Sequence, residues 1–220
     1  MRVVESETTH SVHAYVITGN GSRDLRVLKT MAEKYNHSKT LKVPQTPIKR
    51  ETGLTAMIRT IATLADKPIQ VSKYLAIIDK EHVNSLQDVI NKFNEFGLKV
   101  TSVEELVTWL WLLSVRRGPK NLNIYFAVLG TRKRIEENLA KLIELTYGEK
   151  VPGSKEAVNK WLKEHGLEDI DLVRKASKNQ LEKAFPTVIQ ALKNWRQIIN
   201  DSKSMGKTMS IPLDSPPQWL

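Results

Sequence analysis

Two carboxylates stand two positions apart, directly after an apolar run: Tyr74-Leu75-Ala76-Ile77-Ile78 is followed by Asp79-Lys80-Glu81. An unbroken run of that length, carrying two isoleucines, fits a strand buried on both faces. In an open α/β sheet, ligands bind beyond the carboxyl ends of the strands. If the extended backbone continues past Asp79, the side chains of Asp79 and Glu81 project the same way. Two hard carboxylates projecting together suit Mg²⁺. A plainer requirement is met equally well, because acids after a strand and before a helix are favoured by the helix dipole. Glu136 and Glu137 lie in the early turns of a later helix and reach the same sheet edge if the strands are parallel. Glu136, or alternatively Glu137, is the expected third metal ligand.

A second group of residues is basic. The formal charge is +10, from 34 Lys+Arg against 24 Asp+Glu, which favours polyanionic partners. From Arg174 to Lys207, eight basic residues face two acids, so this stretch carries +6 of the total. Lys175, Lys178, Lys183, Lys193 and Arg196 are the candidate contacts to the phosphates of DNA or RNA. A solvated helix face accounts for the same charge run. With no cysteine, disulfides, thiolate metal sites and cysteine nucleophiles are excluded. No apolar stretch reaches the roughly 18 residues of a membrane span. The amino terminus lacks the apolar core of a signal peptide. The expected location is cytoplasmic, with no membrane partner.

Strands and helices alternate around these groups. Residues 1–11 read as a flexible arm, and Val12 to Ile17 as the first strand. Its turn, Thr18-Gly19-Asn20-Gly21-Ser22, either is simply tight or cradles a phosphate with backbone amides. It lacks the P-loop ending and the dinucleotide spacing. A helix bearing Leu25, Leu28, Met31, Ala32 and Tyr35 follows, then a short strand at Thr40–Val43 and a helix over 53–65. Ser85 and Asp88 form a capping pair for the helix after Glu81, which Gly97 ends. Leu98 to Thr101 is a small strand. Ser102 and Glu105 then predict a further helix to about Val115, containing Trp109-Leu110-Trp111-Leu112-Leu113. A helix apolar almost all round is either buried or a self-association surface, so a homodimer through Trp109–Leu113 is an expected partner. Asn123 to Leu129 is a strand and Thr131 onward a helix. Pro152-Gly153 opens a helical extension over 151–200, with helices at 154–165 and from Ser177 to about Ile199, interrupted at Pro186. Residues 201–220 read as an extended or disordered tail.

This alternation implies a mostly parallel, Rossmann-like sheet flanked by helices. Three landmarks resemble a Toprim domain, the α/β module of topoisomerases, primases and OLD-type nucleases, over roughly residues 12–147. One is Tyr15-Val16-Ile17-Thr18-Gly19 followed by Arg23-Asp24 and Leu28. Another is the helix 53–65 leading into Ile77-Ile78-Asp79-Lys80-Glu81, which is similar to the family's Asp-x-Asp. The last is the strand 124–129 and the helix with Ile135-Glu136-Glu137, similar to a late Glu-Asp pair in some small Toprim-like proteins. The resemblance implies Mg²⁺ at Asp79 and Glu81 and phosphodiester chemistry. Thr18 stands where the family has its first-strand glutamate, and a hydroxyl has no pKa suited to proton transfer near neutrality. Metal binding survives this departure, whereas catalysis is impaired. The expected function is therefore a Toprim-like nucleic-acid-binding protein with Mg²⁺. The competing reading is a non-catalytic interaction module built on the same fold, and a nucleotide-binding regulator using Gly19–Gly21 is a third.

Overall fold

The computed structural model describes residues 1–5, 8–19, 22–35, 39–44, 52–68 and 71–194. Its organising element is the strand at Lys73–Asp79. From Tyr74 to Ile78 every residue is at most 1% exposed, as an apolar run covered on both faces requires. In chain order the strands are β1 (Arg2–Val4), β2 (Val12–Thr18), β3 (Thr40–Lys42), β4 (Lys73–Asp79), β5 (Lys99–Val107), β6 (Leu110–Arg117) and β7 (Lys120–Leu129). They form one seven-stranded sheet in the order β1-β3-β2-β4-β7-β6-β5. β4 lies at its centre, parallel to β2 on one side and to β7 on the other. β1, β3 and β2 are likewise parallel, while β6 is antiparallel to both β7 and β5. The expected α/β sheet, with parallel strands at 12–18, 73–79 and 123–129 and the middle one central, is the observed one.

The helices are α1 (Ser22–Lys34), α2 (Leu54–Asp66), α3 (Leu86–Glu95), α4 (Ile135–Tyr147), α5 (Lys155–Glu164), α6 (Asp169–Lys175) and α7 (Lys178–Ala184). Residues 186–194 are a further helix, α8. Alternation along β4 sends Leu75 and Ile77 to one face and Tyr74, Ala76 and Ile78 to the other. The first face is covered by α1 and by α4 to α8, so the C-terminal helices share a core with the sheet. The second is covered by α2 and α3, with Ile58, Ile61, Val89 and Phe93 fully buried. The Ser85 hydroxyl accepts from the Asp88 N–H, as expected for that capping pair. Proline at 186 suits the first position of α8, where its missing N–H costs nothing.

Three expectations are corrected. The predicted helix at 102–115 does not exist: β5 and β6 form a hairpin across Thr108-Trp109, and Trp109 takes a left-handed φ of 68°. Along β6, Leu110, Trp111, Leu113 and Val115 are buried, so the stretch read as apolar all round is a sheet strand inside the core. The homodimer through a Trp109–Leu113 helix therefore loses its surface. Residues 2–4, expected within a flexible arm, are a strand parallel to β3. Met1 is buried, and its amino group donates to the Ala32 and Tyr35 carbonyls at 3.0 and 2.8 Å. The segment 169–175, to which no element was assigned, is α6, with a capping box between Glu168 and Asp171. Arg196, the end of the helix expected to run to Ile199, and the tail from 201 to 220 lie outside the described residues.

The hairpin is open to a direct test. Leu113 is fully buried opposite Val103, whereas Glu104 is exposed on the edge strand. Urea unfolding should place Leu113→Ala about 2–5 kcal/mol below wild type. Glu104→Ala should remain within about 0.5 kcal/mol. Equal effects would argue against the alternation.

Candidate functional site

Asp79 is the last residue of β4, at the carboxyl edge of the sheet, and it is 6% exposed. Parallel pairing sets Asp79 beside Leu129, so the loop after β7 starts at the same edge. Through this loop the Ile135 N–H donates to Asp79 Oδ1 at 2.9 Å. Asp24, in the first turn of α1, and Glu136, in the first turn of α4, are 4% and 5% exposed. Burial pushes the Asp79 carboxyl up to about 8. The nearby charges of Asp24, Glu136 and Glu81 add to this, and the Ile135 N–H opposes it. Asp24 is thus the acid that acts most strongly on Asp79. It stands one helical turn past the Thr18-Gly19 turn and was not singled out as a ligand.

The extended backbone does not continue beyond Asp79. Lys80–His82 is a 3₁₀ turn, which leaves Asp79 buried while Glu81 lies at the exposed rim. Arg134 Nε donates to Glu81 Oε2 at 2.8 Å. Lys80 Nζ lies 3.9 Å from the centre of the Trp109 ring and donates to the Val83 carbonyl at 2.6 Å. The predicted pair of carboxylates projecting together is replaced by one buried and one rim acid. Glu137 has a different task from Glu136. Its carboxylate accepts from the N–H groups of Thr131, Arg132 and Lys133 at 2.6, 2.7 and 3.1 Å and from the Thr131 hydroxyl at 2.7 Å. Burial alone would raise its pKa, but these donors outweigh burial and lower it.

Beneath the acids lies a guanidinium. Arg23 of α1 donates through Nε and Nη2 to the two carboxylate oxygens of Asp169, at 2.9 and 2.8 Å. Its Nη1 donates to Glu136 Oε1 at 2.7 Å, and Nη2 also reaches Asn159 Oδ1 at 2.7 Å. Arg26 adds a looser contact to Asp169 at 3.6 Å. Burial works against the charged Arg23, yet Asp169 and Glu136 hold its pKa above the usual value. The network joins α1 to α4, α5 and α6. Asp169 and Arg23 are 146 residues apart, and no local pattern in the sequence links them.

The predicted metal ligands are therefore brought together in part. Asp79 and Glu136 share the buried edge with Asp24, and Glu81 stands at its rim. Among the described residues, no three carboxylate or imidazole groups converge as a protein cage for a metal ion. Mg²⁺ rarely uses such a cage; one or two carboxylates with waters and phosphate oxygens suffice. Asp79 and Asp24 present hard carboxylate oxygens, the donor type this ion prefers, and the charge of Asp24 acts on Asp79.

Three of the five predicted phosphate contacts have partners inside the protein. Lys175 Nζ lies over the Tyr147 ring at 4.0 Å and Lys178 Nζ over Tyr35 at 5.5 Å. Lys193 pairs with Glu182 at 2.7 Å. Lys183 is exposed. At the other candidate turn, a Cβ on Gly19 would sit 2.9 Å from the Ile78 side chain and 3.4 Å from the Gly53 carbonyl. That glycine is required by the close approach of strand and loop. No helix among the described residues is long and apolar enough to cross a membrane. Comparison with protein-family models, curated proteins and solved structures finds no match to this chain.

Two measurements probe the site. Asp79 has a pKa of about 8 when folded against 3.8 in the reference state, so the folded protein holds a proton that the unfolded chain has released. Its contribution is stabilising at low pH and is lost as pH rises through about 8. Asp79→Asn keeps an acceptor for the Ile135 N–H and removes this dependence. In EDTA the variant should match wild type near pH 4 and be more stable by a few kcal/mol near pH 8; parallel stability curves would refute the burial argument. Arg23→Gln strands Asp169 and Glu136, and chemical unfolding should show a loss of about 3–5 kcal/mol. Lysine at this position should recover only part, because it cannot reproduce the fork on Asp169.

Proposed function

We propose that this chain is a Toprim-like nucleic-acid-binding protein whose acidic sheet edge holds a divalent cation. One observation carries the reading: Asp24, Asp79 and Glu136 are buried together at the carboxyl end of the central parallel strand. Open α/β sheets bind ligands at this edge. Asp79 occupies the position of the first acid of the Toprim Asp-x-Asp, and Glu81 the second. Asp79, with Asp24 and Glu136 beside it, would hold Mg²⁺, while Arg23 orients Glu136 and Arg134 orients Glu81. When bound, the ion would neutralise these carboxylates and draw in the oxygens of a phosphodiester.

Catalysis is impaired in this reading. Thr18 ends β2 at the place of the family's glutamate, and its hydroxyl cannot act as a general base near neutrality. Burial pushes the Asp79 carboxyl up to about 8, but its Oδ1 is committed to the Ile135 N–H. The chemistry left to these residues is binding: a cation at the acids, and phosphate beside it.

Isothermal titration with Mn²⁺ tests the proposal. Wild type should give a saturable heat that Asp79→Asn abolishes and Asp24→Asn weakens, with both variants folded by circular dichroism. Indistinguishable titrations of wild type and Asp79→Asn would remove the metal site.

A further inference from the structure

We propose that the phosphate contacts of a bound nucleic acid are made by Arg132 and Lys133, on the loop between β7 and α4. The lysines of the C-terminal helices are not its footprint. This inference rests on the nucleic-acid reading above and names where that partner touches the protein.

The argument begins with what the loop has already used. Gly130 turns the chain with φ 79°, and a Cβ there would lie 2.6 Å from the backbone N and O of Arg134. Its N–H is taken by Asn138 Oδ1 at 2.6 Å. The next three N–H groups are taken by Glu137. A loop after a strand at the start of a helix could bind an anion through such amides; here a carboxylate of the protein already fills that role. What remains outward is a run of three basic side chains, Arg132, Lys133 and Arg134, all on exposed residues. Arg134 is held by Glu81. Arg132 and Lys133 make no ion pair among the described residues and are free to meet a phosphate.

The loop is also tied to the acidic edge on both sides. Ile135 donates to Asp79, and the Glu81 N–H donates to the Lys133 carbonyl at 2.9 Å. Two exposed cations are thereby fixed at the lip of a site whose buried carboxylates would repel a polyanion. Three of the four C-terminal lysines offer less, since Lys175 and Lys178 are drawn over tyrosine rings and Lys193 onto Glu182, and the fourth, Lys183, stands exposed on α7. Each of the three would give up an internal contact to bind a phosphate.

Fluorescence anisotropy with short labelled single-stranded DNA, duplex DNA and RNA, across a salt series with Mg²⁺, tests this in the full chain. Replacing Arg132 and Lys133 by Gln removes two phosphate contacts. The salt slope should become shallower by about 1.4–1.8 and affinity should fall roughly 20- to 60-fold at about 0.1 M salt. The exchange Arg132→Lys with Lys133→Arg keeps both charges and should keep binding, which separates charge from any effect on folding. Replacing Lys183 and Lys193 by Gln should change affinity less than about twofold. If the helix pair carries the loss, or both pairs share it equally, the loop assignment is overturned while nucleic-acid binding stands. If wild type shows no salt-dependent affinity for any of the three probes, the nucleic-acid reading fails and this inference with it.

Discussion

The fork of Arg23 on Asp169 is the interaction on which the arrangement of this molecule depends. Four carboxylates, Asp24, Asp79, Glu136 and Asp169, are buried around the carboxyl edge of the sheet. Such groups are costly in the interior unless a cation or well-directed donors compensate. Arg23 answers Glu136 and Asp169 directly and reaches Asn159, so one side chain of α1 fixes α4, α5 and α6. The apolar core would tolerate several small displacements of these helices; a bidentate pair tolerates few. The position of the C-terminal helices is in this sense an electrostatic consequence of the acids at the edge. Asp79 lies outside the fork, and its carboxyl shows what burial among anions does without a partner cation.

Much of the fold is legible in the sequence because apolar patterning and burial coincide. The two-sided run at Tyr74–Ile78 marks the central strand, and the stripes on α1, α2, α3 and α5 face the core as their spacing implies. Asp79 follows from the same logic, since the end of that run must open at the sheet edge. The hairpin of β5 and β6 is hidden for a physical reason. Two-residue hairpin loops normally announce themselves with Gly or Asn at left-handed positions, whereas here Trp109 adopts that conformation. It is held there by the Val128 N–H on its carbonyl, at 3.0 Å, and by its ring against Trp111, at 5.3 Å between centroids. Ser102 and Glu105, which mimic a capping box, are strand residues. Arg23 with Asp169 is illegible in another way, because partners from α1 and α6 leave no local trace of their pairing.

Net charge is a sum, and the structure shows how it misdirects. The basic stretch from Arg174 onward holds several of its cations on internal partners. The loop after β7 holds only three basic residues, yet they stand together, outward, at an edge crowded with buried negative charge. Glu137 makes this arrangement rigid by satisfying the loop amides from within its own helix. Little conformational entropy remains to be lost in the backbone when such a loop meets a ligand, so the cost of ordering falls on the two side chains.

The ammonium of Lys80 rests on the face of Trp109, in the turn between Asp79 and Glu81. An indole emits according to the charges and solvent around its ring, and the Lys80 cation lies 3.9 Å from the centre of this one. An event that shifts the 80–82 turn moves a charge against this ring, which places an indole among the protein's five tryptophans beside its acidic edge.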